Sequence, residues 1–114
     1  MNYSEQLRIL VVDDSAQIRE LMRLKLEEFS AVSLPLSVDF AEDGESALGK
    51  AEENIYDLLF LDVVMPGMDG YQVCERVKQI QPVRVVMLTA KSSAVDHGLG
   101  RKAGCDHYLT KPPN

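Results

Sequence analysis

The middle of the chain reads Leu58-Leu-Phe-Leu-Asp62-Val-Val64, an apolar run broken by a single carboxylate. Similar short runs, rich in Val, Ile and Leu, occur at Leu7 to Val12 and at Val83 to Ala90. Runs of this kind are typical of strands buried on both faces, as in a parallel sheet. Weaker strand patterns at Leu36 to Ala41 and at His107 to Thr110 bring the predicted number of strands to five.

Helical patterns separate these strands. Three residues that commonly cap helices, Ser15, Asp43 and Asp69, begin segments with helical spacing of apolar residues. A fourth helix is predicted over Ser93 to Ala103, and Gly104 should end it. Strand and helix therefore alternate, which predicts an open parallel sheet covered by helices on both faces. Ligands of such α/β folds bind at the carboxyl ends of the strands, so these ends are the candidate site.

Polar residues stand at these ends. Asp13 and Asp14 follow the first strand, Asp62 lies within the third, and Thr89 and Lys111 end the fourth and fifth. Because the carboxyl ends of parallel strands converge at one edge, three carboxylates, a hydroxyl and an ammonium should meet there. Clustered carboxylates repel one another unless a cation binds, and oxygen ligands favour Mg²⁺ over Zn²⁺.

The combination suits phosphoryl transfer to a carboxylate better than acid/base catalysis. A carboxylate oxygen can attack phosphorus while Mg²⁺, a lysine and a hydroxyl neutralise the equatorial oxygens. Taken singly, Asp13-Asp14 could form a turn and Lys111 could be a solvated loop residue. Asp62 is harder to explain in this way, because an unpaired charge in an apolar strand costs several kcal/mol.

From about Leu7 to Pro112 the sequence resembles the CheY-like receiver domain of two-component response regulators. The resemblance rests on motifs around the residues named above: Leu-Val-Val-Asp13-Asp14-Ser, Leu-Phe-Leu-Asp62-Val-Val-Met-Pro-Gly-Met-Asp-Gly, Met-Leu-Thr89-Ala and Ala-Gly-Cys-Asp-His-Tyr108-Leu-Thr-Lys111-Pro. It implies an α/β, flavodoxin-like, doubly wound sheet of five parallel strands in the order 2-1-3-4-5. It also implies a bacterial signal-transduction protein that acts in a phosphorelay.

The resemblance implies roles for the acidic residues. Asp62 corresponds to the aspartate that accepts a phosphoryl group from a histidine kinase or a phosphotransfer protein. Asp14 corresponds to the direct ligand of Mg²⁺ (or Mn²⁺), and Asp13 to a residue that acts mainly through water. Asp62 itself and the backbone carbonyl of Val64 would complete the protein ligands.

Further roles follow from the same resemblance. Lys111 would bind the phosphoryl group, Thr89 would be the switch hydroxyl that moves toward it, and Tyr108 the switch aromatic that turns inward. The family's Lys-Pro bond is cis, which makes the bond after Lys111 a candidate cis peptide. Val64 and Lys91 occupy positions that tune phosphoryl lifetime, and since Val64 cannot hydrogen-bond an attacking water we expect slow autodephosphorylation.

The implied protein is a switch and not an enzyme in the usual sense, because it would catalyse only its own phosphorylation and dephosphorylation. Its partners would be the phosphodonor protein and a downstream effector or fused output domain, and the resemblance also allows dimerisation. The chain has 12 Lys and Arg against 18 Asp and Glu, and this net charge of −6 argues against nucleic-acid binding by this segment. The only apolar run near the N-terminus is too short for a signal peptide or membrane span, so we expect a cytoplasmic location.

Three alternatives use similar residues. A haloacid-dehalogenase-like phosphatase also combines an Asp nucleophile with Mg²⁺, but its Asp-x-Asp motif follows the first strand, and Asp62-Val-Val64 lacks the second carboxylate. A flavodoxin should have a phosphate-binding loop after the first strand, where Asp13-Asp14 would repel a phosphate. A degenerate receiver that acts only as an interaction module would lack site residues that are present here.

The length of the chain predicts a single domain that stops before the family's last helix. The 114 residues fit a single domain, 1–114, with its core at about 7–112. A receiver domain has a fifth helix after its fifth strand, and this chain stops at Asn114. Without that helix part of one sheet face would be open to water. We therefore expect a chain truncated before its C-terminal helix or a partner covering the gap, and a longer natural protein.

Overall fold

A computed structural model describes residues 6–32 and 34–111, whose strands form one five-stranded sheet. The strands are β1 (Leu7–Val12), β2 (Leu36–Ala41), β3 (Leu58–Leu61), β4 (Arg84–Thr89) and β5 (His107–Thr110). The helices are α1 (Ala16–Val32), α2 (Gly44–Glu53), α3 (Gly70–Ile80) and α4 (Ala94–Ala103). All neighbouring strands are parallel and their order is β2-β1-β3-β4-β5, which confirms the predicted flavodoxin-like topology.

The predicted caps Ser15, Asp43 and Asp69 account for where three helices begin, and Ser93, predicted as the first residue of the fourth helix, is instead its cap. The Ser15 hydroxyl accepts a hydrogen bond from the third residue of α1, and the Asp43 carboxylate does the same for α2. Asp69 and Ser93 form complete capping boxes at α3 and α4. At the other end of α4, Gly104 adopts the predicted left-handed conformation with φ of 100°. Each helix is thus started by a local signal that is legible in the sequence.

Alternate residues of the strands face opposite sides of the sheet. Leu10, Leu59 and Leu61 are at most 1% exposed and belong to one core cluster with buried residues of α2, α3 and α4. Ile9 and Phe60 face the other way and line an apolar cavity of about 220 Å³ together with residues of α1. Helices therefore cover both faces, and the buried β1 and β3 between them hold the candidate site.

Strands β3 and β4 are shorter than the predicted runs. The third strand ends at Leu61 and not at Val64, because the Asp62 side chain accepts the Val64 N–H (3.3 Å) and turns the chain out of the sheet. Asp62 thus follows β3 instead of lying within it. The fourth strand begins at Arg84, because the N–H of Val83 bonds to the Gln81 carbonyl two residues back in the chain.

One sheet face is partly accessible to solvent. Leu109 of β5 points to the same side as α1, since Tyr108 before it packs on the core that α4 covers, and Leu109 is 51% exposed. Within the described part of the chain no fifth helix follows β5. None of the helices described there has the length and apolar content needed to cross a membrane.

Candidate functional site

Three carboxylates meet where β1 and β3 end. Asp13 and Asp14 directly follow β1, Asp62 directly follows β3, and one oxygen of each lies within 4.8 Å of the other two. Asp13 is 3% and Asp62 7% exposed, whereas Asp14 is exposed to solvent. A set of hard oxygen donors with one side open to water fits Mg²⁺ or a similar cation, which keeps several water ligands.

Lys111 brings a positive charge into this cluster from the end of β5. Its ammonium donates to Asp13 Oδ2 (2.7 Å) and to Asp62 Oδ2 (3.1 Å). Burial alone would lower the pKa of Lys111, but the two hydrogen bonds and the nearby carboxylates outweigh it and raise the pKa above its ordinary value. The ammonium therefore stays charged and offsets one of the three negative charges.

The backbone around Asp62 is held closely by its neighbours. The Asp62 N–H donates to the Val12 carbonyl (3.0 Å), which continues the pairing of β1 and β3 by one residue. Gly70, the first residue of α3, packs directly on this backbone, and a Cβ there would lie 2.3 Å from the Asp62 carbonyl oxygen. Only glycine fits that contact. Val64 lies two residues after Asp62 in the loop, with its side chain 54% exposed.

Thr89 ends β4 beside the cluster but does not join it. It is fully buried, and its hydroxyl accepts the Lys91 N–H (3.3 Å); in the described residues it makes no hydrogen bond to the three carboxylates. Its carbonyl accepts the N–H of Lys111 (2.7 Å), which ties the ends of β4 and β5 together. The structure thus brings the three carboxylates within 4.8 Å of one another, and Lys111 bonds to two of them. It places Thr89 at the end of β4, the strand next to β3.

Tyr108 is packed between β5 and α4, on the Thr89 side of the site. Its hydroxyl donates to the Lys91 carbonyl (2.8 Å) and lies 3.4 Å from the hydroxyl of Tyr71. Its ring centroid is 4.2 Å from that of His97. Burial, with help from the Tyr71 hydroxyl, raises the pKa of Tyr108, so it stays protonated and remains a donor.

Sequence reasoning did not single out three residues that shape the site. The Arg19 guanidinium donates to the Asp13 carbonyl (2.7 Å), and Tyr71 donates to the Asp96 carbonyl (3.1 Å), which ties α3 to α4 beside Tyr108. Gly70 packs on Asp62 as described above. Only Gly70 had a signal in the sequence, because it is the last residue of the motif that contains Asp62. The predicted cis bond after Lys111 lies outside the described residues.

Known proteins resemble this chain over nearly its whole length. The model of the family described as response regulator receiver domain matches residues 9–114. The transcriptional regulatory protein ResD of Bacillus subtilis is 40% identical over 98% of this chain, and the alkaline phosphatase synthesis transcriptional regulatory protein PhoP of the same species is 42% identical over 92%. The match covers 45% of ResD and 42% of PhoP, so the chain spans less than half the length of these curated relatives.

Solved structures agree with the fold. The response regulator protein TrrA of Thermotoga maritima, in complex with Mg²⁺ and BeF, is 37% identical and superposes with a TM-score of 0.81, over 96% of this chain and 90% of that one. The fold, the acidic edge and these likenesses therefore all point to the same family.

Proposed function

Because this chain belongs to the response regulator receiver domain family, we propose that it is phosphorylated on Asp62 and that this carboxylate is its phosphoacceptor. The observation that carries the proposal is the buried Asp62 carboxylate, held within 4.8 Å of two other carboxylates and bonded to Lys111. Family membership does not favour the phosphatase and flavodoxin alternatives, and the complete set of polar residues does not favour a degenerate receiver.

Transfer to Asp62 would proceed by displacement at phosphorus. An Asp62 carboxylate oxygen forms the new bond to phosphorus, and the bond from phosphorus to the nitrogen of a phosphohistidine, or to the oxygen of an acyl phosphate, breaks. Lys111 lies against Asp62 and would neutralise an equatorial oxygen of the incoming group. Thr89 would supply a hydroxyl to the same group once it moves from its bond with the Lys91 N–H.

The acidic cluster would hold the cation that this chemistry needs. Asp14 and Asp62 would be direct ligands with the Val64 carbonyl, and Asp13 would act through water. Bound Mg²⁺ would withdraw charge from the phosphoryl oxygens and offset the repulsion between the carboxylates. The side chains present fit such an ion because they offer only oxygen donors, with Asp14 exposed to admit waters.

The response to phosphorylation would be a population shift of α4 and β5. Movement of Thr89 toward a phosphoryl group would break its bond to Lys91, the residue whose carbonyl also receives the Tyr108 hydroxyl. Thr89 and Tyr108 are thus coupled through one residue. This link supports their assignment as the two switch residues.

The proposed function also implies an activity, partners and a location for the protein. Receiver domains are signalling switches, and we propose that this one catalyses only its own phosphorylation and dephosphorylation. We propose a histidine kinase or phosphotransfer protein as phosphodonor, an effector protein or fused output domain as target, and the bacterial cytoplasm as location. We also propose that residues 1–114 belong to a single receiver domain.

The test is incubation with acetyl phosphate and Mg²⁺, followed by intact mass spectrometry. We expect one phosphate adduct on the wild type and none on Asp62→Asn or after chelation of Mg²⁺. The matched control is Asp57→Asn, since Asp57 is an exposed aspartate at the opposite end of β3, and it should be phosphorylated like the wild type. An unmodified wild type, or an adduct that survives in Asp62→Asn, would reject the assignment.

A further inference from the structure

Arg19 contacts the acidic cluster at the backbone of Asp13 and not at a carboxylate. Its Nη1 donates to the Asp13 carbonyl at 2.7 Å, six residues away in the chain. The side chain is half-buried against a polar cavity that residues of β2 and α2 also line. The other arginine in this half of α1, Arg23, is also half-buried, but within the described residues its ion pairs are with glutamates of its own helix, Glu20 and Glu27.

Every other polar group of Asp13 already has a partner. Its N–H donates to the Ala41 carbonyl (3.1 Å), Oδ1 accepts the Ser15 N–H (2.9 Å) and Oδ2 accepts from Lys111 (2.7 Å). The residue is 3% exposed, so water has little access to the remaining carbonyl. Arg19 supplies that last bond with a charged donor, and charge-assisted hydrogen bonds are stronger than neutral ones.

The Asp13 carbonyl belongs to the peptide unit that leads to Asp14. Because a peptide unit is planar, fixing this oxygen also fixes the direction in which the chain enters Asp14. The carboxylate of Asp14 has no hydrogen bond or ion pair of its own within residues 6–32 and 34–111. Its place beside Asp62 therefore depends on the backbone before it, and Arg19 holds that backbone.

Helix electrostatics does not account for Arg19. It is the fourth residue of α1, near the end where the helix dipole favours negative and not positive side chains. Surface pairing does not account for it either, since none of the salt bridges among the described residues includes it. The contact with the Asp13 carbonyl is the feature that explains a guanidinium at this position.

We propose that Arg19 is a positioning residue for cation binding: it orients the Asp13–Asp14 backbone so that the Asp14 carboxylate faces Asp62. The inference deepens the proposed function and rests on it for the identity of the cation. Groups that orient metal ligands from outside typically change metal affinity 10- to 100-fold when removed. Simple charge repulsion predicts the opposite sign, because removing a cation near the site would tighten Mg²⁺ binding.

The test is calorimetric titration of the whole chain with Mg²⁺, without a phosphodonor. We expect Arg19→Met to raise the Kd for Mg²⁺ about tenfold, Arg19→Lys to raise it less because the ammonium still donates, and Arg23→Met to leave it unchanged. Should Arg19→Met fail to fold, Arg19→Gln replaces it and should show the same rise, because its amide is too short to reach the carbonyl. An unchanged or lower Kd in the folded variant would overturn the proposal.

A second readout separates positioning from chemistry. With acetyl phosphate, Arg19→Met should need about tenfold more Mg²⁺ for half-maximal phosphorylation but reach the wild-type rate at saturation. A lower rate at saturating Mg²⁺ with unchanged half-saturation would contradict the proposal. Failure of the proposed function looks different: a wild type that binds Mg²⁺ and is never phosphorylated would reject Asp62 as acceptor while leaving the calorimetric result for Arg19 intact.

Discussion

The ammonium of Lys111 donates a 3.1 Å hydrogen bond to the carboxylate of Asp62, 49 residues earlier in the chain. The same nitrogen also bonds to Asp13, so two buried carboxylates share one cation while Asp14 contributes a third negative charge. The cluster therefore carries excess negative charge. The stability of the fold and the affinity of the cluster for a cation should depend on each other for this reason.

Replacing Lys111 by Met should show that the free energy of unfolding depends on Mg²⁺ binding. Without Mg²⁺ we expect the free energy of unfolding to fall by about 2 kcal/mol, because Asp13 and Asp62 lose the charged hydrogen-bond donor that neutralises them. Adding Mg²⁺ should recover part of the loss, since the divalent cation takes over the neutralisation. Urea denaturation with and without Mg²⁺ measures both effects.

The control for Lys111→Met is Lys25→Met. Lys25 lies exposed on α1 and should change the free energy of unfolding by less than about 0.5 kcal/mol at either Mg²⁺ concentration. A Lys111→Met variant as stable as the wild type in the absence of Mg²⁺ would contradict the idea that the ammonium offsets the carboxylates.

Gly100 should be required for the packing of Tyr108, whereas Gly98 in the same helix should not. A Cβ at Gly100 would lie 2.6 Å from the Tyr108 ring, and a Cβ at Gly98 would meet nothing within 4 Å. We expect Gly100→Ala to lower the free energy of unfolding by about 1–3 kcal/mol through overpacking, and Gly98→Ala to raise it by about 0.5–1 kcal/mol through helix propensity.

Denaturation curves of the two variants, with nuclear magnetic resonance of the Tyr108 ring, check this pair. The ring should shift in Gly100→Ala and stay in place in Gly98→Ala. Equal stabilisation by both alanines would show that Tyr108 is free to move and that its contact with α4 carries little energy.

Val64→Asn should shorten the life of a phosphoryl group on Asp62. The Val64 side chain is 54% exposed near Asp62, the proposed acceptor, and offers no hydrogen bond to an attacking water, whereas an amide would. We expect the variant to lose its phosphate adduct faster than the wild type, by up to about tenfold, the rate effect of one hydrogen bond to the attacking water. The half-life of the adduct by intact mass gives the answer, and an equal or slower decay in Val64→Asn would contradict the prediction.

Asp106 should make stability depend on pH in the acid range. Burial alone would raise its pKa, but hydrogen bonds from Lys78 (2.7 Å) and the Val85 N–H (2.8 Å) outweigh it and lower the pKa below its ordinary value of 3.8. A lowered pKa in the folded state means that the stabilisation is complete well above pH 3.8 and is lost as the pH falls through 3.8 toward the folded-state value.

Asp106→Asn removes this dependence. At pH 7 the variant should lose about 1–2 kcal/mol of unfolding free energy, and the difference from the wild type should shrink as the pH falls below 3.8. Denaturation at several pH values measures the difference. A gap that stays constant down to pH 2 would show that the Asp106 carboxylate does not titrate with a lowered pKa.

Much of the architecture could be predicted from local patterns. The caps at Asp43, Asp69 and Ser93 and the apolar runs depend on neighbouring residues, so they are legible in the sequence and agree with the structure. Parallel topology then brings the ends of β1, β3 and β5 together, which is why Asp62 and Lys111 could be expected to meet.

The sequence by itself therefore determined the sheet, its helices and the acidic residues at its edge. Tertiary structure decided contacts that the sequence did not predict: Arg19 holds the Asp13 carbonyl, and Tyr108 reaches the Lys91 carbonyl. The physical reason is that these bonds join side chains to backbone groups of other elements. Their formation depends on how α1 and α4 pack against the sheet, and no local sequence pattern encodes that packing.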